Sequence, residues 1–181
     1  MSSGVGDRAS LADLRAMAHP VRLRILSLLT GAPMSAAEVA RELDLTHANA
    51  SYHLRLLHET GLLVDAGGET IRGGRAKRYR YNLDHPGSSS PDAAASALYY
   101  QAVAGELVRR ATSRRSVGEK GSSTDAELWV SREAWEEAVD RVTTAMVDLH
   151  RAASAPHSRG TIQVSVTAAL FEMGDGDGEQ A

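Results

Sequence analysis

No cysteine occurs anywhere in the chain. Disulfides, thiolate metal centres and thiol redox switches are therefore excluded. No apolar run approaches the ~18 residues needed to span a bilayer. The first nine residues, Met1–Ala9, are small and polar and lack the apolar core of a signal peptide, so a cytoplasmic location is expected. There is no Gly-rich phosphate loop between a strand and a helix, no nucleophile–base pair and no carboxylate pair in a plausible setting. Gly67-Gly68 and Gly73-Gly74 fall in a hairpin tip and make no nucleotide fingerprint. No catalytic residue, metal site or cofactor is nominated, and an enzyme is not expected. What remains is a chain of 181 residues, 43% hydrophobic and 24% charged. That is the composition of a soluble globular protein, with room for one domain or a small one plus an appendage.

The net charge of -3 hides an asymmetry. Residues 1–82 hold 11 Lys/Arg against 8 Asp/Glu, and residues 83–181 hold 9 against 15. The densest basic stretch, Arg72, Arg75, Lys77, Arg78 and Arg80, has no acid among its members. A basic half facing nucleic acid and an acidic half with another task follow from this division.

Residues 1–9 read as a disordered tail, followed by a helical pattern from Ser10 to about Gly31, broken at His19-Pro20. Proline suits a first helical position, so Pro20 opens a second helix with Val21, Ile25, Leu28 and Leu29 on one stripe. Ser35-Ala-Ala-Glu38 is a capping box, and its helix buries Ala36, Val39, Ala40 and Leu43. Asp44-Leu45 makes a short turn. Thr46 then caps a helix to about Thr60, which Gly61 ends. Leu62 to Asp65 and Lys77 to Leu83 read as the strands of a β-hairpin with a long basic tip, Tyr79, Tyr81 and Leu83 alternating in the return strand.

A Pro/Gly/Ser linker at 85–90 leads to Ser90-Pro91, an N-cap and first helical residue. The helix runs to about Ala111, with Tyr100, Val103, Ala104, Leu107 and Ala111 at helical spacing. After a polar linker at 113–123, Ala126 to Val130 reads as a short strand. Ser131 caps a last helix to about Ala153, where Trp135, Val139, Val142, Met146 and Leu149 form the seam of a helix pair too short for a coiled coil. Thr161 to Phe171 reads as a strand, and 172–181 as a flexible tail. Trp129 and Trp135 are expected in a core.

Two helices, a tight turn, a second helix and a basic hairpin form a device for duplex DNA, whose major groove admits a helix. On a helical wheel Ala50, Leu54 and Leu57 share the core direction. Ala48, Ser51, Tyr52 and Arg55 point away from it, with Asn49 at the flank. His53 borders the buried stripe and suits a structural or phosphate-contacting role. Arg22 suits helix packing or a phosphate.

Ala18-His-Pro-Val-Arg-Leu-Arg-Ile-Leu26, Ser35-Ala-Ala-Glu-Val-Ala-Arg-Glu-Leu43, Thr46-His-Ala-Asn-Ala-Ser-Tyr-His-Leu-Arg-Leu-Leu57 and Glu59-Thr-Gly-Leu-Leu63 resemble the ArsR-type bacterial winged helix-turn-helix regulators. The likeness covers about residues 11–83. It implies a homodimeric transcriptional regulator of double-stranded DNA, with a palindromic operator and often a small-molecule effector. It also implies base contacts from Thr46 to Tyr52 and backbone contacts from the wing, and the candidate DNA-binding residues are Thr46, His47, Ala48, Asn49, Ser51, Tyr52, His53, Arg55, Arg72, Arg75, Lys77 and Arg78. The metal sensors of that family are a poor match. This chain has no thiol, His47, His53 and His58 lie on the recognition helix, and Asp148 does not share His150's face. A metal-responsive repressor of the same fold and a winged-helix protein-interaction module are the alternatives.

The expected fold class is thus α+β, a mostly helical winged helix-turn-helix domain over 10–84 with a C-terminal α/β dimerisation or effector extension over 91–171. Tyr100, Val103, Leu107, Trp135, Val139, Val142, Met146 and Leu149 are the candidate dimer interface.

Overall fold

The computed structural model describes residues 4–71, 74–85, 93–113 and 121–173, excepting the side chains of 4–10, 69–75 and 93. Six helices and a three-stranded sheet follow in the order α1 (Gly4–Met17), α2 (Pro20–Gly31), β1 (Met34–Ser35), α3 (Ala36–Leu43), α4 (His47–Glu59), β2 (Leu63–Ile71), β3 (Gly74–Tyr81), α5 (Ala93–Ala111) and α6 (Arg132–Arg151). The sheet is antiparallel in the order β1-β3-β2. It is the small sheet of a winged helix, and the α+β class stands.

Local chemistry sets the helix boundaries. Pro20 takes the first turn of α2, and the His19 ring caps it, Nδ1 accepting from the Val21 amide at 3.2 Å. Arg22 donates to the carbonyls of Ala16 and, at 2.9 Å, Arg15, so it pins α2 to the end of α1. The capping box of α3 is complete. Ser35 Oγ accepts from the Glu38 amide, and Glu38 Oε2 accepts from the Ser35 amide at 2.7 Å. Asp44 ends α3 in the left-handed region (φ 54°), and Thr46 Oγ1 accepts from the Asn49 amide at 3.2 Å to start α4. One orphan amide at each of these helix starts, that of Glu38 and that of Asn49, is thus satisfied by the cap side chain.

The core collects Ile25, Leu26 and Leu29 of α2, Val39 of α3, Ala50, Leu54 and Leu57 of α4, Leu62 just before β2, and Leu63 and Tyr79 of the sheet. Ile25, Val39, Ala50, Leu54 and Leu57 are wholly buried. Each large aliphatic side chain removed from water there stabilises by about 1.5–3 kcal/mol, which fixes which face of α4 looks outward.

Several expectations need correction. Helix α1 begins at Gly4, within the stretch read as a disordered tail. That stretch has no apolar period to announce a helix, yet its backbone continues α1 backwards. Gly67 and Gly68 belong to β2, not to a hairpin tip. The register shifts between Asp65 and Gly68, and Gly67 takes a φ of 90° at this bulge. β2 runs to Ile71 and β3 starts at Gly74, and Arg72 and Gly73 lie outside the described residues, as do the 86–92 linker with its expected Ser90-Pro91 cap and the end of the tail from 174.

Helix α5 packs on α1 and α2, but through Ala95, Ala102 and Glu106 rather than the larger apolar residues. Tyr100 and Leu107 are exposed and Val103 is half-buried. Small alanines allow close approach to α1, and Glu106 is tolerated because Arg109 grips both its oxygens (2.8–3.1 Å) with Arg110 at 3.6 Å. Residues 121–130 and 161–173 carry no strand hydrogen bonding, so the two C-terminal strands do not form within one chain. Trp129 is 96% exposed, not a core residue, while Trp135 is half-buried. Along α6, Trp135, Val139, Val142 and Met146 are half-buried and Leu149 is exposed.

Candidate nucleic-acid interface

The exposed side of α4 is built by what its other side must bury. With Ala50, Leu54 and Leu57 fixed in the core, Thr46, His47, Ala48, Asn49, Tyr52 and Arg55 are exposed and Ser51 is half-buried. Tyr52 is 53% exposed although it is a large aromatic. Arg55 Nε donates to the Ser51 carbonyl at 3.4 Å, laying its guanidinium along the outer face. A row of small residues, an amide, a phenol and a guanidinium is therefore presented in one direction, with donors and acceptors suited to base edges or phosphates.

His53 is the exception among the nominated residues of α4. Only 5% of it is exposed, and its ring lies 5.0 Å from that of His19 and 5.2 Å from that of Tyr52. Its Nδ1 is buried without a hydrogen-bond partner. Desolvation, then the fields of His19 and Arg22, hold its pKa below the ordinary histidine value. His19 is lowered likewise by desolvation and Arg22. Both rings are therefore neutral at pH 7.

The wing side chains divide into two kinds. Lys77 Nζ lies 3.3 Å from Asp65 Oδ2 and 5.0 Å from the centre of the Tyr79 ring, with its side chain 43% exposed. Arg78 Nη2 instead donates to the Pro33 carbonyl at 2.6 Å and to Glu38 Oε1 at 3.1 Å, tying β3 to the start of α3. Burial raises the Glu38 pKa, but the Ser35 amide and hydroxyl, then Arg78 and Arg41, outweigh it and leave it below the ordinary carboxylate value. Arg75 pairs through its backbone with Thr70 in the hairpin. Arg80, opposite Val64 in the ladder, is exposed and shares Arg78's side of β3. It was not nominated from the sequence, although strand alternation from Arg78 signals it.

The wing is anchored at its base. Asn82 Nδ2 donates to the Gly61 carbonyl at 3.0 Å, and His85 Nε2 lies 3.2 Å from the buried carboxylate of Asp13 on α1. Helix α4 and the hairpin are thus held on one frame. No helix among the described residues is long and apolar enough to cross a membrane.

Residues 17–65, which span α2, α3, α4 and the start of the wing, match a family described as a helix-turn-helix domain. An HTH-type transcriptional regulator of Methanocaldococcus jannaschii, itself described as uncharacterized, is 32% identical over 74 residues, or 39% of this chain and 78% of that protein. Among solved structures, HlyU from Vibrio cholerae is 23% identical over 59% of this chain and 92% of its own, with a TM-score of 0.36. The multiple antibiotic-resistance repressor MarR from Listeria monocytogenes is 13% identical over 82% of this chain and 84% of its own, with a TM-score of 0.28. On the sequence match to the archaeal regulator, and with two helices joined by a tight turn and followed by a wing, the chain belongs to the HTH-type transcriptional regulators.

Proposed function

We propose that this regulator is an ArsR-type homodimer that binds a palindromic duplex with α4 in the major groove and the wing on flanking phosphates. One observation carries the reading. α4 turns its apolar residues wholly into the core and leaves Thr46, His47, Ala48, Asn49, Tyr52 and Arg55 on the opposite, unpacked side. Apart from Thr46, which caps α4, and the Tyr52 ring beside His53, this face packs on nothing among the described residues, and it follows the helix-turn-helix start in the position of a recognition helix. Among the basic side chains of the wing, Arg72, Arg75, Lys77 and Arg80 are assigned to phosphates. Arg78 and His53 hold the frame that presents α4, with Ser51 at the edge of the contact. One recognition helix reads too few base pairs for a useful specificity ratio, and a two-fold pair doubles the site. Tyr100, Val103 and Leu107 on α5, with Trp135, Val139, Val142, Met146 and Leu149 on α6, are the helical part of the dimer contact. A small-molecule effector acting through the C-terminal half completes the regulatory scheme.

In vitro selection of bound DNA from a random pool tests this reading. The expected result is an enriched inverted repeat with half-sites one helical turn apart. An unenriched pool, or binding to RNA duplexes in preference to DNA, would overturn it.

A further inference from the structure

Two stretches of the C-terminal half have strand chemistry and no ladder. Residues 161–171 read Thr-Ile-Gln-Val-Ser-Val-Thr-Ala-Ala-Leu-Phe, without a charge or a proline. Ile162, Val164 and Val166 alternate with Gln163, Ser165 and Thr167, the period of a strand with one apolar face. Residues 126–130, Ala-Glu-Leu-Trp-Val, are a shorter piece of the same kind. Among the described residues, no backbone–backbone hydrogen bond involves 162–171. Trp129 and Ile162 are 96% and 81% exposed, and Leu128, Val164 and Phe171 are more than half exposed. A row of unpaired amides beside bare β-branched side chains is a template for pairing with another chain.

The surrounding geometry says how these stretches run. The Arg132 guanidinium meets the Glu172 carboxylate through two bonds, 3.1 and 3.2 Å. Arg132 opens α6 just after the first stretch, and Glu172 closes the second. Phe171 also approaches the ring of Tyr100 on α5, at 5.7 Å. Helix α6 carries the chain about 30 Å away, and residues 161–172 bring it back to the start of the helix. Both stretches therefore point toward the same end of α6. This is the strand–helix–strand order of a βαβ unit, whose parallel strands need a crossover of this kind. Two strands alone are marginal as an independent sheet, and further strands or packing against a helix are needed. Among the described residues no other strand pairs with either stretch, so the strands that would complete a sheet are still to be supplied.

We propose that a second copy of this chain supplies them. The 161–171 segment pairs antiparallel with the same segment of the second copy about a two-fold axis through Gln163, Ser165 or Thr167, which keeps Ile162, Val164 and Val166 on one face, and the 126–130 strands flank it in a shared four-stranded sheet. The segment is self-complementary about a two-fold axis, as a symmetric interface requires. It carries no charge by which an acidic or basic partner would be selected, and no edge-protecting lysine or proline. The inference rests on the homodimer reading and adds to it a sheet formed only on association.

The absence of cysteine allows a clean test in the full chain. Gln163→Cys, Ser165→Cys and Thr167→Cys, with Ser27→Cys on the exposed side of α2 as control, are oxidised mildly at micromolar concentration and sized under non-reducing conditions. Disulfides need Cα atoms about 4.4–6.8 Å apart, so one position of the scan should dominate. Pairing at a local concentration far above that in solution should make it at least about tenfold faster than the control. Val164→Pro, which removes a ladder amide, should sediment as a monomer while keeping its helical circular dichroism. A wild-type dimer in which no scanned position outpaces Ser27→Cys, or a Val164→Pro chain that remains dimeric, would overturn the shared sheet while leaving the homodimer intact. A wild-type monomer would overturn both.

Discussion

The carbonyl oxygen of Ser154 occupies the place where a Cβ on Gly31 would stand. The last residue of α2 is thus the floor on which the chain leaving α6 rests. His157 on the same loop, in the left-handed region at φ 61°, reaches Glu42 of α3 at 3.4 Å. His150 stacks on Tyr81 of the wing at 6.3 Å. The C-terminal half therefore touches the DNA-binding unit at α2, α3 and β3.

Gly31→Ala is expected to undo this contact. Alanine favours a helix over glycine by about 1 kcal/mol, but here the new methyl meets backbone, which cannot swing aside. Overpacking of this kind costs about 1–3 kcal/mol, so a net loss of stability is expected. Hydrogen exchange should show it first at residues 152–158. A melting temperature raised above wild type, with exchange at 152–158 unchanged, would refute the docking.

The buried His19–His53 pair should make the fold acid-sensitive. Both rings titrate below the ordinary histidine value of 6.5 when folded, so between the two values the unfolded chain binds more protons. Their contribution is complete above pH 6.5 and is lost as pH falls through the folded values. The melting temperature should drop from pH 7 to pH 5.5, and His53→Leu should flatten that slope, His19 keeping the remainder. The Glu38 contribution, with its pKa below the usual carboxylate, is lost only at lower pH. Equal melting temperatures for wild type at pH 7 and pH 5.5 would contradict this account.

Leu54→Ala should cost about 2–5 kcal/mol, because Leu54 is wholly buried between α4 and the rest of the core. Ser51→Ala, one turn earlier and half-buried, should change stability by less than about 0.5 kcal/mol. Urea titration of both variants measures the contrast, and similar losses in the two would place α4 in the wrong rotation.

Arg75 and Arg78 should part company on DNA. A residue that neutralises a phosphate contributes roughly 0.9 to the slope of log K against log salt. Arg75→Ala should flatten that slope by about this amount on any duplex. Arg78 is held by Pro33 and Glu38, so Arg78→Ala should leave the slope and instead lose about 0.5–1.5 kcal/mol of stability. Titrations of a fixed duplex at several salt concentrations, with thermal melts, decide between these roles.

The N-terminal half was legible because its signals are local. Pro20 removes one orphan amide, and the Ser35–Glu38 box and Thr46 satisfy others within a few residues, so local sequence alone announces the helix starts. Ala50, Leu54 and Leu57 followed from helical spacing. His53 was read as bordering the core, and only the structure shows that His19 walls it in. Arg78 was illegible as a frame residue, since its partners lie 40 and 45 residues away. The strands at 126–130 and 161–171 failed for a different reason. Alternation reports strand chemistry, but among the described residues neither stretch pairs with another strand. On α5 the large residues suggested the buried face, but close packing on α1 selected the alanines.

The measurement that bears most directly on the recognition role of α4 compares Asn49→Ala and Tyr52→Ala on the selected duplex and on random DNA of equal length. Both residues are exposed on the face opposite the core. If that face reads bases, each substitution should cost about 1–3 kcal/mol on the selected site, much less on random DNA, and leave the salt slope in place. Equal losses on both duplexes, or none on either, would contradict the assignment of α4 to the major groove.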